Sequence, residues 1–217
     1  MIPTNARELK GSFLDEEDEP NIYRSLPNNK SDAAWDHLAE GEWFMINAEE
    51  VSKLGKNVSE VVRAPEEWGY GNDAYIATLD LNHQVHCLNL LRMAAFPDHY
   101  APRESPRFRA EHIMHCTSML LQNIMCTGTV DLITFNWRET QRNPVPDFNI
   151  KKGCRKIQSV LDWQTENRLP DKYEKRYKME RQEDETELPL SPKLSEFLQS
   201  VVGEEAEFAK GKVGIGN

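Results

Sequence analysis

The sequence predicts a mainly α-helical fold: a helical core built on an antiparallel pair of helices, with a few short strands and an extended N-terminal arm. Three observations point that way. Residues 80–96 and 105–128 both carry apolar side chains at three- and four-residue spacing. Each segment is bounded by residues that start and stop helices, and a loop of about ten residues joins them, which lets consecutive helices fold back on one another.

Residues 1–30 contain the acidic run 15–19 and few apolar anchors, so they predict an extended acidic arm able to wrap a partner or the domain itself. Residues 31–170 form the main domain, and 171–217 a charged linker followed by a C-terminal helix. Ala34, Trp35 and Leu38 suggest a short helix, and Trp43, Phe44, Met45 and Ile46 a strand. The glycine and aromatic loop 68–73 precedes a second weakly alternating strand at 74–79.

Asp80 is placed to cap the first long helix, which Pro97 stops, with Val85, Leu88, Leu91 and Ala95 on its apolar face. Ser105 followed by Pro106 starts the second, and Gly128 ends it; Ile113, Leu120, Ile124 and Thr127 recur on its period. Residues 130–135 read as a strand and 142–147 as a loop. A third core helix is expected over 153–167, with Ile157, Leu161 and Trp163 near one face. The charged stretch 172–187 reads as a solvated helix or a disordered linker, and Ser191-Pro192 opens a short last helix with Leu194, Phe197, Leu198 and Val201 as its stripe.

Composition narrows the function. At 217 residues the chain fits one domain, and 39% hydrophobic against 29% charged residues describes a soluble protein with long polar segments. A net charge of −10 excludes a nucleic-acid footprint, which needs clustered cations to displace counterions from phosphate. No run reaches the 18 or so apolar residues of a membrane helix, and the first residues do not begin a signal peptide. Glycosylation sequons begin at Asn29 and Asn57, and four cysteines are compatible with disulfides in an oxidising lumen.

The chemistry is concentrated in a repeated pentapeptide. HQVHC holds His83, His86 and Cys87; HIMHC holds His112, His115 and Cys116. Residues three and four apart on a helix point within one quadrant, so two facing helices would bring four imidazoles and two thiols together. Imidazole suits copper, zinc, iron and nickel, and thiolate shifts the preference toward copper(I), zinc and iron. A lone histidine would be read as core, but four in duplicate spacing mark metal ligands.

For Cys87 and Cys116 three roles stay open: metal ligation, pairing with each other, or packing as small apolar residues. Cys126 and Cys154 are expected in different helices, as a structural disulfide, with unpaired buried thiols the alternative. Trp68, Tyr70 and Tyr75, just upstream of the first pentapeptide, could wall a substrate or serve as ordinary core and rim residues.

At HQVHCLNLLR, EHIMHC with its downstream Cys126, and the segment from Cys154 to Trp163, the chain resembles the UstYa-like family of fungal secondary-metabolite (mycotoxin) biosynthesis proteins, whose hallmark is two His-x-x-His-Cys motifs. The likeness runs from about Trp43 through Trp163. It implies that 31–170 is a catalytic domain and that the chain is a copper-dependent oxidoreductase acting on C–H bonds of a small peptide or polyketide intermediate, by oxidative cyclisation, desaturation, hydroxylation or halogenation. It implies two copper ions held by the two motifs, with His83 and His86, then His112 and His115, as ligands, dioxygen as co-substrate and in some cases a halide. Met114 stands where the family often has an acid, which leaves Glu111 as the nearest carboxylate to orient a ligand. Family members usually carry one membrane span and work in the lumen of the secretory pathway; that span is not in this sequence, so it is either trimmed away or this is a soluble variant, and a homo-oligomer or a pairing with a second family member is the partner expected. Two other functions fit the same residues: a zinc-stabilised module without redox activity, and an accessory subunit of a biosynthetic complex.

Overall fold

Helix α3 (Asp80–Ala94), which carries the first pentapeptide, is sandwiched between α1 (Asn29–Ala39) and α4 (Pro106–Thr127), which carries the second. The computed structural model describes residues 4–12 and 21–213, so the acidic run at 15–19 lies outside the described residues. The fold is mainly α, with three two-stranded antiparallel ladders at its margins. Among the described residues no helix is long and apolar enough to cross a membrane.

Local chemistry explains where the helices begin and end. Asn28 Oδ1 accepts from the backbone N–H groups of Lys30 and Ser31, and the Ser31 hydroxyl accepts from the Asn28 N–H, a reciprocal cap that starts α1 four residues before its first apolar residue, Ala33. Helix α4 follows expectation: the Ser105 hydroxyl accepts from the Phe108 N–H, Pro106 occupies the first helical position, and Gly128 ends the helix with φ of 44°, a left-handed conformation that favours glycine. Asp80 is the first residue of α3 rather than its cap, and its carboxylate accepts from Gln84 one turn on. The helix stops at Ala94, two residues short of the expected Phe96.

The described part of the arm is extended, as expected, but it is also paired. Strand β1 (Thr4–Glu8) runs antiparallel to β6 (Lys151–Arg155), with Asn5 opposite Cys154. That pairing holds 151–155 as strand, so the third core helix, α5 (Ile157–Asn167), begins four residues after the expected Gly153. Strand β2 (Phe44–Ile46) pairs with β3 (Tyr75–Ala77), and the Trp163 ring of α5 meets Phe44 edge-on at 4.9 Å. Strand β4 (Thr134–Asn136) pairs with β5 (Val145–Asp147), so ladder pairing takes over part of the stretch expected as loop. Pro146 is tolerated there because a two-stranded ladder is all edge.

Helix α2 (Ala48–Lys53) is a short link, and α6 (Lys172–Lys178) opens the charged stretch, which is fastened rather than free. Lys172 is buried, its ammonium donating to the Gly41 carbonyl at 2.8 Å and pairing with Glu42 at 3.1 Å and Glu40 at 3.2 Å. Burial alone would lower its pKa, but the hydrogen bonds to Glu42 and Glu40 raise it. Downstream, Arg63 pairs with Asp184 at 2.7 Å, and the Thr186 N–H donates to the Ser59 carbonyl. The last helix, α7 (Pro192–Val213), is longer than its apolar stripe suggested.

Two polar knots hold the three central helices. Asn82, 2% exposed, donates through Nδ2 to the carbonyls of Leu38 and Glu40, both at 3.1 Å, and accepts from Gln164 Nε2 at 2.9 Å. It thereby satisfies carbonyls left open at the end of α1 while tying α3 to α5. At the other end of α3, Arg92 donates to Asp32 at 2.8 Å and stacks over Trp35 and Tyr100, whose hydroxyl donates to the same carboxylate at 2.5 Å. Burial would raise Asp32, but hydrogen bonds from Tyr100 and Arg92 more than offset it and hold the carboxyl below its ordinary value.

Two outcomes are expected. Asn82→Ala leaves the Leu38 and Glu40 carbonyls and Gln164 without partners, and its stability measured by urea unfolding should fall by about 3 kcal/mol. Because the Asp32 carboxylate is favoured in the fold, its contribution is complete above pH of about 4 and is lost as pH falls through the lower folded value. Asp32→Asn should therefore lose about 1–2 kcal/mol at neutral pH and show a flatter acid-unfolding curve than the parent between pH 4 and 2.

Candidate metal centre

The pentapeptides meet because α3 and α4 pack side by side and run in opposite directions. The imidazoles therefore pair across the helices in reverse order. His83 faces His115 with ring centroids 5.6 Å apart, and His86 faces His112 at 5.7 Å. Within the first pentapeptide the rings of His83 and His86 are farther apart, at 6.4 Å. The rings that stand nearest one another are therefore the cross-helix pairs rather than the two histidines of the first motif.

The spacing suits a shared ion. With metal–nitrogen bonds of about 2 Å and about 1.1 Å more from nitrogen to ring centre, two imidazoles on opposite sides of one ion have ring centres up to about 6.4 Å apart. Both cross-helix distances fall well inside that limit, and the distance within the first motif lies at its edge. Among the described residues no three His, Cys, Asp or Glu side chains converge on one metal position.

His112 has the best-defined tautomer. Glu104 Oε1 lies 2.9 Å from its Nδ1, so a proton held there leaves the Nε2 lone pair for a metal, the usual arrangement behind a histidine ligand. Glu111, the carboxylate expected in this role, is exposed on the outer side of α4, and Met114 is 55% exposed. Glu104 precedes α4 and stands eight residues from His112, so no helical spacing announces it. His83 lies 4.0 Å from the Asp80 carboxylate through Nδ1 and 3.7 Å from Cys87 Sγ through Nε2. Partial burial pushes His86 below the ordinary histidine range, and the neighbouring His112 and His83 rings add to this. A depressed pKa keeps the imidazole neutral, the form that binds metal.

Behind the rings, Cys87 and Cys116 are both fully buried in the seam between the helices, and neither is in a disulfide. Burial and a hydrogen bond with Cys87 push the Cys116 thiol up to about 12, so it is a neutral thiol at ordinary pH. The two buried thiols pack against one another, joined by that hydrogen bond. Cys126 is exposed near the end of α4, and Cys154 is half-buried on strand β6 rather than on a helix; both are free thiols.

A cavity of about 590 Å³ opens beside His86 and His112, with Asn89, Leu90 and Met93 of α3 and Tyr173 of α6 in its wall. Trp68, Tyr70 and Tyr75 do not line it. Tyr75 is buried in β3, Trp68 lies under the Lys175 ammonium, and Tyr70 borders a separate small cavity between β2 and α5. Their position upstream of the first pentapeptide does not bring them to it, because β3 and the turn before it pack toward Phe44 and the C-terminal segment.

Comparison with known proteins gives this geometry a family. Residues 2–167 match the family model described as mycotoxin biosynthesis protein UstYa. The chain belongs to the UstYa family. Curated relatives include the UstYa family oxidase aprY of Aspergillus flavus, 37% identical over 76% of this chain and 52% of its own length. The UstYa family oxidase phomYc of Diaporthe leptostromiformis is 28% identical over 72% of this chain and 63% of its own. The oxidase ustYa of Aspergillus flavus is 29% identical over 45% of this chain and 44% of its own. The chain thus spans between about half and two thirds of the length of the first two relatives. No solved structure matches the chain.

This UstYa-family centre predicts a cost for losing its supporting carboxylate. Glu104→Ala should weaken metal binding by about 10- to 100-fold in a competitive chelator titration, with the circular dichroism spectrum unchanged.

Proposed function

We propose that this UstYa-family chain is a copper-dependent oxidoreductase that tailors a secondary-metabolite intermediate by oxidising its C–H bonds. The observation that carries the reading is the pairing of His83 with His115 and of His86 with His112 across α3 and α4, at a spacing that suits one ion per pair. The relatives' names as UstYa family oxidases, and the family's description as a mycotoxin biosynthesis protein, support the same class of chemistry. Two metals per chain follow from two pairs. Bound copper would supply the one-electron and dioxygen chemistry that side chains lack, and imidazole suits copper as a ligand.

The chain's own residues would do the rest. His83, His86, His112 and His115 would hold the ions, and of these His86 and His112 stand at the cavity. Glu104 keeps a proton at His112 Nδ1 and so keeps Nε2 a ligand. The buried thiols of Cys87 and Cys116 close the seam behind the rings. Leu90 and Met93 give the cavity an apolar side for the substrate's hydrocarbon, next to the imidazoles.

Copper titration followed by electron paramagnetic resonance tests the proposal. The parent chain should take up two copper ions. His83→Ala/His115→Ala, which empties one cross-helix pair, should keep one ion, whereas His83→Ala/His86→Ala, which breaks both pairs, should keep none tightly. The reverse pattern would assign one ion to each motif, and a protein that binds zinc alone would overturn the copper reading.

A further inference from the structure

The cavity beside His86 and His112 has a charged lining whose partners do not balance. Its three carboxylates are engaged: Glu104 with His112 at 2.9 Å, Glu40 with Lys172 at 3.2 Å, and Asp36 with the Asn89 amide at 3.4 Å. Its two guanidinium groups are not. Among the described residues neither Arg109, half-buried in the wall, nor Arg103, exposed at the rim, has a carboxylate within ion-pair distance. The chain carries 36 acidic residues against 26 basic ones, so acids to pair with are abundant. Arg109 also stands in the first turn of α4, which holds no acidic residue, where the helix dipole makes an uncompensated cation costly.

We infer that Arg109, with Arg103 at the rim, is the specificity-determining anchor for a carboxylate on the substrate. This rests on the histidine pairs being the reaction centre. Guanidinium presents a planar fork of donors that matches a carboxylate with two parallel hydrogen bonds, and a partly desolvated site strengthens them. Arg109 precedes His112 by three residues, so both side chains leave the same face of α4 and an anion held at Arg109 lies within about one helical turn of the imidazole. The volume, about 590 Å³, is that of a site for an organic molecule of drug size, far larger than a bare ion needs. The apolar wall at Leu90 and Met93 takes the hydrocarbon of the same molecule. The substrate class is therefore an organic acid whose carboxylate is retained during oxidation: it is the handle, and the bond oxidised is a C–H nearby.

The test compares 4-phenylbutyrate with its primary amide, and with sodium chloride as the inorganic anion, by ligand-observed nuclear magnetic resonance on the metal-free chain. The acid should bind at least tenfold more tightly than the amide. Arg109→Gln should abolish the preference, Arg109→Lys should keep part of it, and Arg103→Gln should reduce it. Equal binding of acid and amide, a preference that survives in the Arg103→Gln/Arg109→Gln chain, or displacement of the acid by chloride at equal concentration would each overturn the assignment. Copper content of the same variants, measured separately, keeps the two questions apart. Two ions bound without a carboxylate preference sinks only this inference, and a preference without copper sinks only the proposed chemistry.

Discussion

One buried amide, that of Asn82, sets the position of everything around it. A side-chain amide taken out of water is tolerated only when its donors and acceptor are engaged, and here the Leu38 and Glu40 carbonyls and the Gln164 amide engage them. Those partners come from the end of α1 and the middle of α5, segments about 40 and 80 residues away along the chain. Asn82 directly precedes His83, so the same three hydrogen bonds that join the helices also fix the rotation of α3 about its axis. A rotation of α3 by a third of a turn would carry both of its imidazoles away from α4. The packing of the domain and the aim of the imidazoles are thus one constraint.

The opposed direction of α3 and α4 has a second effect. It sets the first histidine of one motif beside the second of the other. It also brings Cys87 and Cys116 to the same level in the seam, where two small side chains allow the helices to approach closely. The doubled motif is then a single device in two halves: small buried residues set the distance between helices, and the histidines on the adjoining positions span it.

How far the sequence foretold this depends on the range of the interaction. The positions of His83, His86, His112 and His115 on two helices were legible because helical periodicity, Ser105, Pro106 and Gly128 are local signals. The grouping of the rings was not, since it depends on how two helices align in space. Glu104 escaped notice because it lies in a loop with no period linking it to His112, and Glu111 drew attention only by being adjacent. The union of β1 with β6 joins residues about 150 positions apart, and nothing in Lys151, Lys152 or Gly153 announces a strand until a partner strand is beside them. Lys172 misled for a related reason: a lysine amid charges reads as solvated until two glutamates and a carbonyl are found around it.

That buried lysine also bears on how such a centre can diversify. The family match ends at residue 167, before α6 begins, yet α6 supplies Tyr173 to the cavity wall and is pinned there by Lys172 through Glu40 and Glu42. The imidazoles and the helices that carry them lie inside the shared segment; one wall of the chamber lies outside it. Changes in that outlying helix would reshape one wall of the cavity while leaving the helices that carry the imidazoles untouched, so that part of the chamber's outline can vary independently of the segment the family shares.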